Sequence, residues 1–206
     1  MTAIIANEFN PGDTQVEFQR FIKWDFSIKG ALKIRPGFIL ALFLRYGGSD
    51  ATELQPLPDG ERFTLGKSNG LRGYGDKSVG RYDTLGHLIK PAPLNRLDLG
   101  GNVLLNFNLE IRIPIAKKAG LWAVAFYDVG ALAADHSQLY FSSFRSAAGL
   151  GLRYLVLNQI PIRIDLGFIL GKSRCESYKD PTPGGDLACS RWEERASLQF
   201  GFLYPF

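Results

Sequence analysis

Three carboxylates on the polar faces of alternating segments are the residues of this chain that could perform acid–base chemistry: Glu110, Asp128 and Asp165. Paired carboxylates can act as general acid and base when they approach each other. Arginines also lie on the polar faces of these segments, and they favour a simpler role for the carboxylates, in which each one is neutralised by an arginine. These arginines are Arg112, Arg153 and Arg163. The sequence has no Gly-x-Ser-x-Gly, no phosphate-binding glycine loop that enters a helix and no His-Glu-x-x-His. We therefore expect a protein that is not an enzyme and uses no cofactor.

The two cysteines, Cys175 and Cys189, lie in one stretch that is rich in Gly, Pro and charged residues. An even pair of cysteines in an oxidising compartment indicates a disulfide. A metal site is the competing interpretation, but His87 and His136 are isolated and the chain has no Cys-x-x-Cys. We expect a disulfide between the cysteines and no metal.

Residues 61–80 carry a second candidate site, with the sequence ERFTLGKSNGLRGYGDKSVG. Turn-forming and charged residues dominate this stretch, so it predicts a long loop, and loops of this length are usually functional or disordered. Arg72 lies at its centre and needs an acidic partner. Asp128 is a good candidate, and a guanidinium group can bind a carboxylate through two parallel hydrogen bonds. The alternative is that the two residues are unrelated solvated charges.

Composition limits the kinds of fold that can position these residues. A length of 206 residues favours one domain, and 15 Phe, 8 Tyr, 3 Trp and 23 Gly favour a β barrel or sandwich. No stretch reaches the roughly 20 apolar residues of a transmembrane helix. The net charge of +4 is diffuse, and no basic run is interleaved with aromatic residues, so we expect no nucleic-acid partner.

Alternation of polar and apolar residues predicts about seven strands, or eight if residues 2–9 also pair. The strands are expected within residues 15–29, 37–46, 103–113, 121–130, 148–156, 160–168 and 196–206. Residues 1–13 are a poorly patterned lead-in. Connections alternate between short ones (30–36, 114–120, 157–159) and long ones (47–100, 131–146, 171–192). Alternation of apolar and polar faces would also fit a soluble sandwich, but short turns on one side and long loops on the other are typical of an outer-membrane barrel. We predict an all-β fold, an antiparallel transmembrane β-barrel.

Several stretches give the chain a resemblance to BamA/TamA-type outer-membrane assembly barrels, the bacterial surface-antigen family. They are residues 61–66 (ERFTLG), 71–74 (LRGY), 126–130 (FYDVG), 149–154 (GLGLRY), 162–167 (IRIDLG) and the terminal Phe206. The first two resemble the signature loop of the family, and FYDVG resembles the strand motif that partners this loop. The resemblance covers about residues 15–206, in the same order as in the family.

The resemblance implies the C-terminal half of a sixteen-strand barrel, whose other half comes from another chain or from a missing N-terminal segment. It places residues 47–100 outside the cell as a loop that plugs the lumen. Counting back seven strands from a periplasmic C-terminus places residues 1–13 outside the cell as well. The implied location is the outer membrane of a Gram-negative bacterium.

The function implied by the resemblance is insertion or translocation of unfolded outer-membrane proteins through a lateral seam at the last strand. The implied loop motif comprises Gly66, Leu71, Arg72, Gly73 and Tyr74, and its partners are Asp128 and Gly130. The residues of the seam and the C-terminal signal are Phe200, Gly201, Phe202, Tyr204 and Phe206. Gly201 and Pro205 are expected to weaken strand pairing at the seam. Two alternatives remain: a two-partner secretion pore and a passive porin-like barrel.

Overall fold

A computed structural model describes residues 2–7, 18–51, 57–58, 60–67, 70–75, 79–80, 100–156, 160–170, 177–178, 188–189 and 196–202. Its strands are β1 Thr2–Asn7, β2 Phe18–Arg35, β3 Phe38–Ser49, β4 Val103–Ala116, β5 Leu121–Ala133, β6 Arg145–Val156, β7 Ile160–Leu170, β8 Ser177–Tyr178, β9 Ala188–Cys189 and β10 Ala196–Phe202. In these parts of the chain, no helix is long and apolar enough to cross a membrane.

Eight of the strands form one antiparallel sheet in the order β1-β2-β3-β4-β5-β6-β7-β10, and β8 and β9 form a separate pair. Each strand of the sheet lies beside its neighbour in sequence, with one exception. β10 pairs with β7, although β8 and β9 come between them in the sequence. β1 and β10 are the two edges, and the described strands do not close into a ring. The predicted all-β, antiparallel fold with seven to eight strands is confirmed.

The predicted connection at residues 30–36 is wrong, because β2 continues through it to Arg35. Gly30 pairs with Leu42 of β3, and the turn itself is reduced to Pro36 and Gly37, where Gly37 has a φ of 97°. Glycine adopts this left-handed conformation without a steric penalty, which permits the tight reversal. Gly30 therefore lies within a paired strand and not in a turn.

Two further boundaries differ from the prediction. β3 continues to Ser49, so the long connection begins after residue 49 and not at 47. Gly47 belongs to the strand, since it pairs with Asp25 of β2 and Leu104 of β4. The ring of Phe63 packs where its side chain would stand, with Cε1 2.5 Å from a methyl group placed on Gly47. The supposed lead-in contains β1, which pairs with residues 18–23 of β2. Residues 2–7 therefore form an edge of the sheet, beside the stretch of β2 that precedes its pairing with β3 at Lys23, at the end of the sheet that carries the long connection after β3.

The two faces of the sheet differ in what covers them. Residues of the segment 57–80 pack on one face, here called the inner face, and bury a cluster against β4, β5 and β6. The cluster consists of Phe63, Leu65, Leu71, Tyr74, Val79, Leu104, Leu132 and Ala147. The opposite, outer face exposes large apolar side chains on strand after strand. Examples are Phe26, Ile28, Ile113, Leu150, Phe168 and Phe200, and Leu150 is 65% exposed.

Candidate functional site

The candidate site is assembled by two central strands and by the tip of the covering segment. In β4, Asn108 and Glu110 point to the inner face, and in β5 Phe126, Asp128 and Gly130 do the same, because side chains two residues apart share a face. Asn108 and Asp128 are direct partners in the ladder between β4 and β5. This register brings an amide and a carboxylate together beneath Arg72.

Arg72 binds Asp128 through both its backbone and its side chain. Its Nε lies 2.7 Å from Oδ2 of Asp128, its NH2 2.7 Å from Oδ1, and its backbone nitrogen 3.1 Å from Oδ2. The side chain of Arg72 is 6% exposed and that of Asp128 is 0% exposed. The guanidinium carbon also lies 3.7 Å from the centroid of the Phe126 ring, which is a cation–π contact. The alternative of two unrelated solvated charges is therefore wrong.

Asp128 has little capacity left for acid–base chemistry. Its carboxylate accepts the three bonds from Arg72 and a fourth from Nδ2 of Asn108, at 2.6 Å from Oδ1. Asn108 Nδ2 also lies within hydrogen-bonding distance of the backbone oxygen of Gly70, at the tip of the loop. A carboxylate has about four acceptor positions, so the four donors saturate it. This arrangement suits an anchor for the loop better than a general base.

A wider network extends the anchor across four strands. Glu110 of β4 contacts NH1 of Arg72 through Oε1, accepts from NH2 of Arg153 at 3.0 Å, and pairs with Arg112 at 2.9 Å. Arg153 of β6 also donates to Asp165 of β7, at 3.2 Å between NH2 and Oδ2. NH1 of Arg72 lies 3.6 Å from Oδ2 of Asp165. Within this set, the three arginines Arg72, Arg112 and Arg153 match the three carboxylates Glu110, Asp128 and Asp165 in number.

The charge of the loop arginine is stabilised within this network. Burial by itself would lower the pKa of Arg72, but the hydrogen bond and the negative charge of Asp128, together with Glu110 and Asp165, raise it above its ordinary value. Removal of one member of a buried pair leaves the other charge without compensation. Detaching the loop tip would therefore leave the buried charges of Asp128 and Glu110 without compensation, which opposes its release.

Two glycines of the predicted site leave room for close contacts between the loop and the sheet. A methyl group on Gly130 would lie 2.8 Å from a methyl carbon of Leu65, so the absence of a side chain makes room for the loop core. Gly73 has a φ of 99° and faces Gly167 of β7. Elsewhere in the motif, the backbone nitrogen of Leu71 donates to Gly66 at 3.0 Å, and Tyr74 is buried. The structure thus joins Arg72 to Asp128, while Gly130 contacts Leu65, the residue before Gly66 of the motif.

The remaining predicted residues lie elsewhere. Phe200, Gly201 and Phe202 belong to β10, at the edge of the sheet, while Pro205, Tyr204 and Phe206 lie outside the described residues. A methyl group on Gly201 would stand 2.5 Å from Nε of Arg163, so this glycine also accommodates a neighbouring side chain. Cys189 ends β9, and Cys175 lies outside the described residues, so the disulfide stays a prediction.

One contact of the site is absent from the sequence-based prediction. The sequence predicts that arginines neutralise Glu110 but does not predict its contact with Arg72. The signal was available, because Glu110 is two residues from Asn108, which a ladder in this register places opposite Asp128. The contact between Lys67 of the loop and the backbone of β10 had no comparable signal. No group of His, Cys, Asp and Glu in the described parts of the chain could hold a metal ion.

Comparisons with known proteins relate this geometry to a family. None of the curated proteins matches the chain. Among solved structures, BamA from Haemophilus ducreyi lacking POTRA domains 1–3 is similar in fold, with a TM-score of 0.58 and 15% sequence identity. The match covers 89% of this chain and 35% of that one, so the chain spans about a third of the length of this relative. The model of the Omp85 superfamily domain matches residues 5–201. The match includes the loop, the strands that bind it and most of β10, and the chain belongs to the Omp85 superfamily.

Proposed function

We propose that this chain forms part of an outer-membrane β-barrel that inserts or translocates other proteins, with the loop around Arg72 pinned inside the lumen. The observation that carries the proposal is the buried anchor of Arg72 on Asp128 and Glu110, on the inner face of a sheet whose outer face is apolar and exposed. Membership of the superfamily adds support. Water against the exposed apolar side chains of the outer face would destabilise the fold. Lipid chains would not, because they are as apolar as those side chains.

The proposed orientation follows from the ends of the sheet. The short turns after β2 and β4 lie at one end, and the long connections after β3, β5 and β7 lie at the other. In outer-membrane barrels the short turns face the periplasm and the long loops face outward. The segment after β3 is then an extracellular loop that folds back into the lumen, where Phe63, Leu65 and Leu71 pack against the wall.

Further strands are needed to complete such a barrel. β1 pairs only with residues 18–23 of β2, and no described strand lies beside residues 24–35 on that side. Unpaired backbone groups are costly in lipid, so a strand from another chain or from another segment of the protein would cover this edge. The opposite edge, β10, is the proposed seam. There an unfolded outer-membrane protein would add a strand by backbone hydrogen bonding.

The proposal is tested by reconstituting the protein, with whatever strands complete its barrel, into phospholipid vesicles and following the folding of an unfolded outer-membrane barrel. We expect faster folding of this client than in empty vesicles. Arg72→Ala should lose most of the acceleration, because the uncompensated charge of Asp128 destabilises the barrel as well as the loop. Arg45→Ala is the matched control, because Arg45 also pairs with a carboxylate, Asp25, at 2.6 Å but remains partly exposed. Equal activity of Arg72→Ala and the unchanged protein would contradict the role of the loop. Ion conductance with no client folding would favour the passive porin-like alternative.

A further inference from the structure

A lysine of the loop reaches the edge strand of the sheet. The Nζ atom of Lys67 lies 2.7 Å from the backbone oxygen of Leu198, in β10. The backbone nitrogen of Lys67 donates to the oxygen of Gly75 at 3.2 Å, which closes the turn that carries Arg72. One compact turn therefore contacts both the central strands and the edge strand.

The carbonyl group of Leu198 points to the open edge and away from β7. A methyl group on Gly149 of β6 would collide with the backbone oxygen of Leu166, and one on Gly151 would lie 2.9 Å from that of Ile164. The carbonyl groups of Ile164 and Leu166 thus point towards β6. In an antiparallel sheet the N–H and C=O of one residue face the same neighbour and alternate along the strand. Leu166 therefore makes no backbone hydrogen bonds to its ladder partner Leu198. The N–H and C=O groups of Leu198 consequently point away from β7, towards the open edge of the sheet.

The acceptor that Lys67 occupies is one that an added strand would use. A strand that pairs with an edge does so through the outward-facing N–H and C=O groups of alternate residues, here Ala196, Leu198 and Phe200. The ammonium group of Lys67 lies at the middle one of these positions. An incoming strand has to displace it in order to bond at Leu198.

The position of Lys67 depends on the anchor of the loop. Gly73 packs against Gly167 of β7, and Gly167 is the ladder partner of Ser197 in β10. Arg72 fixes the same turn to Asp128. We propose that Lys67 couples the loop to the seam: while Arg72 is pinned, Lys67 holds the Leu198 carbonyl, stabilises β10 and obstructs addition of a strand. Release of the loop frees this acceptor. A role of this coupling in client insertion rests on the proposed function, but the coupling itself can be tested without a client.

Hydrogen exchange of β10 in the vesicle-reconstituted protein tests the coupling. In Lys67→Met we expect the amides of Ser197, Gln199 and Gly201 to exchange about tenfold faster, as when an edge strand loses a hydrogen bond to a charged donor. Lys67→Arg should retain most of the protection, because it restores a cationic donor. Arg72→Ala should give at least the increase of Lys67→Met, and the double variant should exchange no faster than Arg72→Ala. Lys29→Met is the control, since Lys29 lies over the Phe43 ring near the other edge.

Capture of an added strand provides the second measurement. The probe is a synthetic peptide of about ten alternating apolar and polar residues, the length of a transmembrane strand. It should cross-link to β10 faster in Lys67→Met than in the unchanged protein. Unchanged β10 exchange in Lys67→Met, or unchanged capture, would overturn the coupling even in a protein that inserts clients. Lys67-dependent exchange and capture in a protein that inserts no client would instead overturn the proposed function and leave the coupling intact.

Discussion

Gly73 of the loop and Gly167 of β7 lie so close that a methyl group on Gly167 would stand 2.6 Å from the backbone nitrogen of Gly73. The same methyl group would lie 2.8 Å from the backbone carbon of Arg72. Both neighbours are backbone atoms of a turn that is already anchored at Asp128, so neither can move aside without disturbing the anchor. The contact joins the loop to the strand that neighbours the edge of the sheet.

Gly167→Ala should therefore displace the loop tip. Overpacking of this kind costs about 1–3 kcal/mol, which increases the open population of the loop roughly fivefold or more. The rate of trypsin cleavage measures the open population, because trypsin cleaves after Lys67 and Arg72 once the loop detaches from the inner face of the sheet. Gly30→Ala is the control, since no atom lies within 4 Å of a methyl group at Gly30. Equal cleavage of the loop in the two variants would contradict the contact between the glycines.

Arg72→Ala and Asp128→Ala should each destabilise the folded protein by about 3–5 kcal/mol, because each leaves a buried charge without its partner. The double variant should be little worse than either single one, and this lack of additivity identifies a shared interaction. Urea unfolding of the reconstituted protein gives the free energies of unfolding.

The partly exposed pair of Arg45 and Asp25 is the internal standard for that cycle. Arg45→Ala should change the free energy of unfolding by no more than about 1 kcal/mol, since exposed ion pairs contribute little. Additive losses at Arg72 and Asp128, or a loss no larger than that of Arg45→Ala, would be incompatible with a buried pin.

Charges on the outer face should be poorly tolerated. Arginine introduced at Leu105, Leu109 or Ile164 should cost about 2–4 kcal/mol if these residues face the middle of a bilayer. Ser27 is the control position, because it is exposed and lies on the inner face, two residues from Asp25. Thermal or urea unfolding in vesicles measures the difference, and equal tolerance of the two faces would refute the bilayer-facing assignment.

Asn106 and Asn108 would be obvious inner-face controls from the sequence, since both alternate with the apolar residues of β4. The structure changes that expectation. Both are buried beneath the loop, and Asn108 donates to Asp128. Arginine at either position should displace the loop, so a severe effect there would carry no information about lipid.

The cysteine pair can be checked directly. Mass spectrometry of protein isolated without reductant should show Cys175 linked to Cys189, a closure of about 15 residues that contributes roughly 3 kcal/mol in the chain-entropy model. Reduction should accordingly lower the midpoint of thermal unfolding. Two free thiols in protein from its native compartment would refute the link.

Local pattern by itself determined most of the fold. The alternation in Val103–Ala116 and Ile160–Leu170 fixes which residues share a face, because successive side chains of a strand point to opposite sides. The pairing of Arg72 with Asp128 was also within reach, since a buried loop cation needs a carboxylate and a motif supplied one. Boundaries at Gly30 and Gly47 were not, because a glycine signals a turn locally, and only a paired neighbour or a packed ring shows that the strand continues.

Tertiary structure decided the contacts that cross several strands. Glu110 reaches Arg72 and Arg153 because β4, β5 and β6 lie side by side in one register. Lys67 meets Leu198 because the loop crosses the inner wall as far as the edge. The two residues are 131 positions apart, and the alternation of polar and apolar residues in the sequence does not report contacts over such a separation. The faces of a strand follow from bond geometry along the chain, whereas the place where a loop comes to rest depends on the packing and charge of the whole sheet.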